Sequence, residues 1–434
     1  MKKKRRDFLK STGVAGLALA GGLIPKGFAS AADNQKKNSL ISDANFSTTG
    51  NFNDENLSII GGYGQWAASL TENKLPAFSF RRKEWTKLEL WKTSARKRLF
   101  DRIAIPDMGG MPKVIINKQY TYDGLQIEEL SWQLPYGKPT EAILLKPQNT
   151  KGKLPGILAF HDHGGNKYFG KQKITRTTDN QHSMMKEHQQ YYYENLAWAN
   201  EIAKRGYVVL VADAFAFASR RVMLQDVHSD VRRGVKDPTP DDQDSINNYN
   251  QWAGNHEHIL AKSLFSAGTT WPGVFFGEDR KALNILSARK EVDANRIGCG
   301  GLSGGGLRTV FMGGLDPRIR CAVCVGFMST WKDFILNKSY NHTWMTYVPL
   351  LPNELEFPEI LGLRTPLATL VLNDAEDGLY TLPEMKKANK ILQDVYKKAG
   401  AHERYKCSFH PGPHKFDANM QSEAFDWFDR WLKG

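Results

Sequence analysis

The stretch from residue 296 to residue 308 limits the possible folds more than any other part of the chain. It reads as a strand that ends at Gly301, a sharp turn at Ser303 and a helix that begins among glycines. Residues 301–305 match the pattern G-x-S-x-G, which holds a serine hydroxyl clear of a parallel sheet. The glycines of this pattern lack a Cβ atom, which allows the helix to pass close to the strand. The pattern predicts a strand–turn–helix unit with a nucleophilic serine, and a glycine-rich turn with an incidental serine is the alternative.

Apolar runs and helical patterns alternate on both sides of this unit. The runs are continuous, as is typical of strands buried on both faces of a sheet. Strands that alternate with helices predict an α/β fold with a doubly wound, mostly parallel sheet. The predicted strands cover residues 155–160, 207–212, 319–327, 366–372 and 404–409, and the predicted helices cover residues 194–205, 280–290, 384–399 and 418–432.

Three segments depart from this alternation. Residues 113–146 have the pattern of antiparallel strands, which we expect to extend one edge of the sheet. Long polar insertions at 166–193 and 219–270 follow predicted strands, and we expect them to form lids or walls of a substrate site. Trp252 lies in the second insertion and Trp271 just after it. These aromatic side chains either pack on the core or stack on sugar rings.

The first 31 residues have the pattern of an export signal. Arg5 and Arg6 form a twin arginine in a basic segment, and an apolar run follows over residues 14–24. Residues 29–31 then give an A-x-A cleavage site. The twin arginine resembles a Tat signal, which implies a bacterial protein exported in the folded state to the periplasm or the extracellular space. The apolar run is shorter than the roughly 20 residues of a membrane-spanning helix, so we expect no stable membrane span.

The domain organisation follows from these segments. A flexible linker is expected over residues 32–60, which are polar and rich in asparagine and serine. Residues 61–112 are expected to form an N-terminal helical extension, with a helical pattern from residue 75 to residue 102. The catalytic domain is then expected to cover residues 113–434.

Charge and cysteine content argue against several classes of protein. The net charge is +13, but seven basic residues and one acid lie in residues 1–31, so +7 remains for the rest of the chain. This charge is spread along the sequence, which argues against a nucleic-acid partner. The four cysteines are too few for a disulfide scaffold. Cys321 and Cys324 are three residues apart on a predicted strand and face opposite sides of it, so we expect buried free thiols.

Acidic residues and histidines follow the last two predicted strands. A serine nucleophile needs a base within hydrogen-bond reach and a carboxylate that orients this base. Asp374 and Asp377 lie in the loop after the next-to-last strand. His410 and His414 follow the last strand, just before the final helix. The order serine, acid, histidine at three predicted strand ends indicates a catalytic triad, and position alone leaves both the acid and the base open.

From about residue 110 to residue 434, the chain resembles the α/β-hydrolase superfamily, specifically its dienelactone-hydrolase-like and acetyl-xylan-esterase-like members. The resemblance is carried by residues 161–165 (His-Asp-His-Gly-Gly), 207–213, 301–306, 370–373 with Asp377, and 412–414 (Gly-Pro-His). It implies the α/β-hydrolase fold, with an N-terminal extension and lid-like insertions added to the doubly wound sheet.

The resemblance also assigns the triad residue by residue. Ser303 is the implied nucleophile. In the family the acid usually lies a few residues into the loop after its strand, which favours Asp377 over Asp374. The histidine of the family lies in a Pro-Gly-x-His context before the closing helix, which favours His414 over His410.

Other polar residues near the strand ends receive a role from the resemblance or from position. Related esterases form an oxyanion hole with a loop N–H group, which implies that of His163 or Gly164 beside that of Gly304. Asp213 and Arg220 are expected to form a structural pair beside the site. We expect Asp213 and Arg220 to have a structural role and not a catalytic one.

The expected function is two-step acyl transfer by a serine esterase on short-acyl esters, such as the carbohydrate ester acetylated xylan. This reaction needs no metal or organic cofactor. A metal site that joins His161 and His163 to His256 or His258 is the alternative for these histidines. The alternative functions are a serine peptidase of the prolyl-oligopeptidase type and a non-catalytic binding protein with a hydrolase fold.

Overall fold

The computed structural model describes residues 57–72, 74–149 and 151–434. The predicted signal at 1–31 and nearly all of the predicted linker at 32–60 lie outside the described residues. In the part of the chain that the structure describes, no helix has the length and apolar character that crossing a membrane requires.

Nine strands of the described residues form one sheet. They are β1 (Ile115–Tyr122), β2 (Leu125–Trp132), β3 (Thr140–Pro147), β4 (Leu154–Phe160), β5 (Val208–Ala212), β6 (Val292–Leu302), β7 (Ile319–Val325), β8 (Ala368–Asp374) and β9 (Tyr405–His410). Their order across the sheet is β1-β2-β3-β5-β4-β6-β7-β8-β9. The first three pairs in this order, β1–β2, β2–β3 and β3–β5, are antiparallel. The remaining five pairs are parallel. The predicted α/β fold with a mostly parallel sheet and an antiparallel edge is confirmed.

Helices cover both faces of this sheet. They are α1 (Gly64–Glu72), α2 (Leu88–Ile103), α3 (Ser183–Tyr193), α4 (Trp198–Lys204), α5 (Ser229–Arg232), α6 (Gln243–Ser266), α7 (Trp271–Ser287), α8 (Gly304–Leu315), α9 (Trp331–Asp333), α10 (Phe357–Gly362), α11 (Leu382–Lys398) and α12 (Ala418–Leu432). One apolar core contains buried residues of α2, α7, α8, α10 and α11, and the core on the other face contains those of α4 and α12. Strands covered on both sides must be apolar on both sides, which explains the continuous apolar runs.

The helix predicted over residues 75–102 is wrong in its first half. Helix α2 begins only at Leu88, and residues 75–87 form turns. Aromatic side chains of these turns pack on α2: the ring of Phe80 stacks on Trp91 with 4.3 Å between the ring centroids. The indole N–H of Trp91 donates to the carbonyl of Phe78, with 2.6 Å between nitrogen and oxygen. Tertiary packing of the aromatic residues therefore overrides the helical pattern.

Two other predicted helices have different limits in the structure. The helix predicted over 194–205 begins later, because Glu194 and Asn195 adopt φ values of 54° and 62° and end α3 instead. The helix predicted over 280–290 is the second half of α7, which starts earlier and carries Pro272 in its first turn. Proline is well tolerated there, because the first helical N–H groups have no partner within the helix.

The longest element of the second insertion is α6, a helix of 24 residues. Trp252 is 7% exposed and Trp271 is 1% exposed, so both pack into apolar clusters, as the core-packing interpretation requires. Cys321 and Cys324 contribute to the cores on opposite faces of the sheet, as predicted. All four cysteines are free thiols, and Cys407 differs from the expectation because it is only half-buried.

Candidate active site

A single residue, Ser303, connects β6 to α8. Its φ of 57° and ψ of −119° lie outside the regions that a residue with a side chain normally adopts. The N–H group of Ser303 donates to the carbonyl of Val325 at the end of β7, with 2.9 Å between nitrogen and oxygen. Such strain persists only where the surrounding structure fixes the backbone, and it is common at functional sites. The turn leaves the serine half-buried at the carboxyl edge of the parallel strands.

Two glycines allow β4, β6 and α8 to approach one another at this turn. A Cβ atom on Gly301 would lie 2.3 Å from the carbonyl oxygen of Phe160, and one on Gly305 would lie 2.4 Å from the same oxygen. Both distances are far shorter than any normal carbon–oxygen contact, so neither position accepts a larger residue without a shift of the backbone. The glycines on both sides of the serine are therefore required by close backbone packing.

His414 and Asp377 form a close pair beside this turn. The Nδ1 atom of His414 lies 2.6 Å from Oδ2 of Asp377. The imidazole lies against Gly326, where a Cβ atom would be 2.8 Å from Cε1 of the ring. Gly326 directly follows Val325, whose carbonyl binds the N–H group of Ser303. The other imidazole nitrogen, Nε2, is buried and has no hydrogen-bond partner among the residues that the structure describes.

Two opposing effects set the pKa of His414. Burial acts to lower this pKa, but the charge and the hydrogen bond of the Asp377 carboxylate outweigh burial and raise the pKa above its ordinary value of 6.5. Asp377 is itself fixed, because its Oδ1 accepts a hydrogen bond from the N–H group of Leu379 at 2.9 Å. The imidazole thus has one nitrogen bound to a carboxylate and the other available as a base.

Asp374 and His410, the alternatives left open by the sequence, make different contacts. Asp374 ends β8, and its Oδ2 accepts a hydrogen bond from the N–H group of Lys415 at 3.0 Å. Burial raises the pKa of Asp374 to about 7. The Nε2 atom of His410 lies 2.8 Å from a carboxylate oxygen of Glu423 on α12. Asp377, rather than Asp374, is hydrogen-bonded to the imidazole beside the serine.

Residues 161–165, here called the HDHGG loop, pass next to the serine. The backbone nitrogen of His163 lies 2.9 Å from the position of a Cβ atom on Gly304, so the two backbones are in contact. The side chain of His163 accepts a hydrogen bond from the N–H group of Gly165 at Nδ1 (3.1 Å) and lies 2.7 Å from Glu257 at Nε2. Burial lowers the pKa of His163, which favours a neutral ring with its proton on Nε2.

The histidines of the metal alternative make contacts within the protein, and the rings of His161 and His163 both pack edge-on against Phe217 with 5.3 Å between the ring centroids. The Nε2 atom of His161 accepts a hydrogen bond from the N–H group of Ala214 at 3.2 Å. Burial lowers the pKa of His161 to about 3, so the ring is neutral. His256 stacks on Trp252 with 4.4 Å between the ring centroids. The contacts of these rings are therefore with backbone, carboxylate, phenyl and indole groups.

The chain is similar to several known proteins. No family model matches it. It is 26% identical over 309 residues to the Bacillus subtilis (strain 168) protein named "Putative hydrolase YtaP", a match that covers 70% of this chain and 88% of that protein. The crystal structure of "a putative acetyl xylan esterase" from Bacteroides fragilis NCTC 9343 superposes with a TM-score of 0.59 and 17% identity, covering 82% of this chain and 86% of that chain. The "Glucuronoyl Esterase from Solibacter usitatus" superposes with a TM-score of 0.55 and 12% identity, covering 83% of this chain and 98% of that chain.

The chain has the α/β-hydrolase fold. The strand order and these structural similarities agree with the fold that the sequence resemblance implied. In this fold the nucleophile, the acid and the histidine follow separate strands in that chain order. Ser303 follows β6, Asp377 follows β8 and His414 follows β9. The structure brings these three α/β-hydrolase positions to one edge of the sheet.

The predicted pair of Asp213 and Arg220 is wrong. The Oδ2 atom of Asp213 lies 2.9 Å from Nζ of Lys171 and accepts a hydrogen bond from the hydroxyl of Ser219 at 2.8 Å. The guanidinium group of Arg220 instead binds Glu278 at 2.7 Å. A buried cation from the first insertion is therefore the partner of Asp213. Asp213 and Arg220 therefore belong to two separate ion pairs of the α/β-hydrolase fold.

Sequence reasoning also missed two buried residues that contact the HDHGG loop. Glu257 on α6 binds the ring of His163 at one oxygen, and its other oxygen accepts a hydrogen bond from Thr343 at 2.7 Å. Lys173, from the first insertion, donates to two carbonyl groups of the loop. Neither residue belongs to a motif. The available signal was the position of both in insertions that follow strands at the active-site edge of an α/β-hydrolase fold.

Proposed function

We propose that the protein is a serine carboxylic-ester hydrolase in which Ser303 is the nucleophile, His414 the base and Asp377 the acid that orients the base. The observation that carries the proposal is the contact of 2.6 Å between His414 and Asp377, combined with the unpartnered Nε2 atom beside the strained turn at Ser303. A base held in one tautomer beside an accessible serine is the arrangement that acyl transfer requires, and Ser303 is half-buried at the edge of the sheet.

The proposed reaction has two steps. In the first, His414 removes the hydroxyl proton of Ser303 while Oγ forms a bond to the ester carbonyl carbon. The resulting oxyanion accepts hydrogen bonds from the N–H groups of Gly304 and of His163 or Gly164. Its collapse breaks the ester carbon–oxygen bond, and the alcohol leaves with the proton from the imidazole. In the second step, water attacks the acyl-enzyme with the same base, and the carboxylic acid and free serine are formed.

We propose a carbohydrate ester with a short acyl group, such as acetylated xylan, as the substrate. Support comes from the names of two proteins with the same fold, a "putative acetyl xylan esterase" and a "Glucuronoyl Esterase". The twin-arginine segment at Arg5 and Arg6 adds support, because an exported enzyme meets polysaccharides outside the cell. The substrate class is tested separately from the mechanism, by release of acetate from acetylated xylan, which the protein should catalyse and Ser303→Ala should not.

The first experiment is hydrolysis of p-nitrophenyl acetate, butyrate and octanoate by the protein. We expect turnover that decreases as the acyl chain lengthens, and covalent labelling of Ser303 by a fluorophosphonate, identified by peptide mass spectrometry. A p-nitroanilide substrate tests the peptidase alternative in the same assay. Absence of both turnover and labelling would contradict the esterase proposal and favour a non-catalytic binding protein.

The pH dependence of kcat/KM is a separate prediction. The base must be neutral to remove the serine proton, and Asp377 raises the pKa of His414 above its ordinary value of 6.5. We therefore expect kcat/KM for p-nitrophenyl acetate to rise with pH, with the midpoint of the rise above 6.5. The measurement is kcat/KM in a series of buffers, each rate corrected for spontaneous hydrolysis. A midpoint at or below the ordinary value would argue against a close Asp377 carboxylate in the active enzyme.

A further inference from the structure

A buried lysine lies behind the HDHGG loop. Lys173 belongs to the short turn Lys171–Lys173 in the first insertion, and it is 0% exposed. Its Nζ atom donates hydrogen bonds to the carbonyl oxygen of Asp162 at 2.9 Å and to that of His163 at 2.7 Å. A fully buried ammonium group is uncommon and needs specific partners. Its hydrogen-bond partners here are two backbone carbonyl groups of the loop beside Ser303, and the carboxylate of Asp162 forms an ion pair with it at 3.7 Å.

The two carbonyl groups belong to consecutive peptide units. The carbonyl of Asp162 shares its peptide unit with the N–H group of His163, and the carbonyl of His163 shares its unit with the N–H group of Gly164. Both peptide bonds are trans. In a planar trans peptide the C=O and N–H bonds point in opposite directions. One amine that binds both oxygens therefore turns both N–H groups to the opposite side of the loop.

This opposite side faces the serine turn. The backbone nitrogen of His163 is 2.9 Å from the position of a Cβ atom on Gly304, the first residue of α8. We infer that Lys173 is a positioning residue for acyl transfer, because it directs the N–H groups of His163 and Gly164 toward the oxyanion formed at Ser303. The inference rests on the proposed function and names the group that prepares its oxyanion hole.

Further contacts fix the start of the same loop. One carboxylate oxygen of Asp162 lies 2.5 Å from the hydroxyl of Tyr193 and 3.1 Å from Nε2 of His188, both on α3. The other oxygen lies 3.7 Å from Nζ of Lys173. The first insertion thus fixes the start of the loop through contacts with the carboxylate of Asp162. A preorganised oxyanion hole needs such support, because donors that must reorient during the reaction stabilise the transition state less.

The test is a Lys173→Met variant, which removes the amine and keeps most of the apolar stem. We expect kcat for p-nitrophenyl acetate to fall by about 10- to 100-fold, less than the loss of a direct oxyanion donor. KM should change by less than about threefold, because the ground-state carbonyl is bound weakly. The inhibition constant of an alkyl boronic acid should weaken by a factor similar to that of kcat, because its tetrahedral serine adduct places an oxygen in the oxyanion hole.

Lys171→Met is the matched control. Lys171 lies on the same turn and is also buried, but its Nζ binds the carboxylates of Asp213 (2.9 Å) and Glu141 (2.8 Å) instead of the loop carbonyls. Both variants lose a buried ammonium group, so both should melt at a lower Tm. Only Lys173→Met should lower kcat and weaken boronate binding. Equal kinetic losses in the two variants would overturn the inference, and so would parental kcat and boronate affinity in Lys173→Met.

A second variant keeps the inference testable if Lys173→Met does not fold. Tyr193→Phe removes one hydroxyl from Asp162 and is expected to lower kcat and boronate affinity by about three- to tenfold. Its control is Tyr207→Phe, because the hydroxyl of Tyr207 binds Asp429 on α12 and does not contact the loop. Equal kinetics in both tyrosine variants would overturn the inference. Failure of the proposed function is distinguished by Ser303→Ala, which would then keep the parental activity.

Discussion

Replacing Ser303 with alanine is expected to lower kcat for p-nitrophenyl acetate by about 10,000-fold or more, equivalent to about 5.5 kcal/mol of transition-state stabilisation. The hydroxyl is the only group of the proposed mechanism that forms a covalent bond to substrate, so its loss removes the acyl-enzyme pathway. The backbone at the turn already has a φ of 57°, and alanine keeps the same Cβ atom there. We therefore expect the variant to fold like the parent, which circular dichroism and the Tm will check.

The matched control for this variant is Ser287→Ala. The hydroxyl of Ser287 donates to the carbonyl of Leu283 within α7, at 2.7 Å, and is not part of the site. Its removal should leave kcat and fluorophosphonate labelling unchanged. If Ser303→Ala kept more than about a tenth of the parental rate, the nucleophile would have to be another group, and the proposed mechanism would be abandoned.

Much of the central fold could be predicted because local pattern and tertiary environment agree there. Strands β4 and β5 read as continuous apolar runs, and the structure buries them on both faces. The G-x-S-x-G stretch predicted a strand, a turn and a helix, and the structure has its single turn residue at Ser303. Glycine is required at positions 301 and 305 because a Cβ atom there would lie too close to the carbonyl oxygen of Phe160. The sequence pattern therefore follows directly from this steric requirement.

The peripheral segments were harder to predict because long-range contacts decide their conformation. The turns at 75–87 depend on the packing of Phe80 against Trp91, which a helical pattern does not reveal. The same reason explains the failed pair of Asp213 and Arg220: two other buried charges, 42 and 58 residues away along the chain, are their partners. Pairing of buried charges follows three-dimensional proximity and not spacing in sequence.

The candidate site could also be predicted from the sequence only in part. The carboxyl ends of parallel strands meet at one edge, so the sequence placed Ser303, the acidic loop and the two histidines together. The choice between neighbouring residues came from the resemblance, and the structure adds a contact of 2.6 Å between His414 and Asp377. Lys173 was missed because it acts on backbone carbonyl groups, and no residue pattern marks which carbonyls a lysine will reach.

Replacing Asp377 with asparagine is expected to lower kcat by about 1,000- to 10,000-fold, with little change in KM. The carboxylate accepts the proton of Nδ1 and so keeps Nε2 free to act as a base. An asparagine amide can donate to Nδ1 instead, which stabilises the tautomer that carries its proton on Nε2 and cannot remove the serine proton. The loss of charge should also lower the midpoint of the pH profile, because burial then dominates the pKa of His414.

Asp374→Asn is the control that decides which acid acts. The carboxylates of Asp374 and Asp377 and the imidazole of His414 have ligand atoms within 4.8 Å of one another, so either acid is near enough to matter. Burial raises the pKa of Asp374 to about 7, so its side chain is partly neutral near that pH and an amide is a mild replacement. We expect less than about a tenfold loss of kcat in Asp374→Asn. A large loss there, with near-parental activity in Asp377→Asn, would assign the orienting role to Asp374 and require a different rotamer of the acid in the working enzyme.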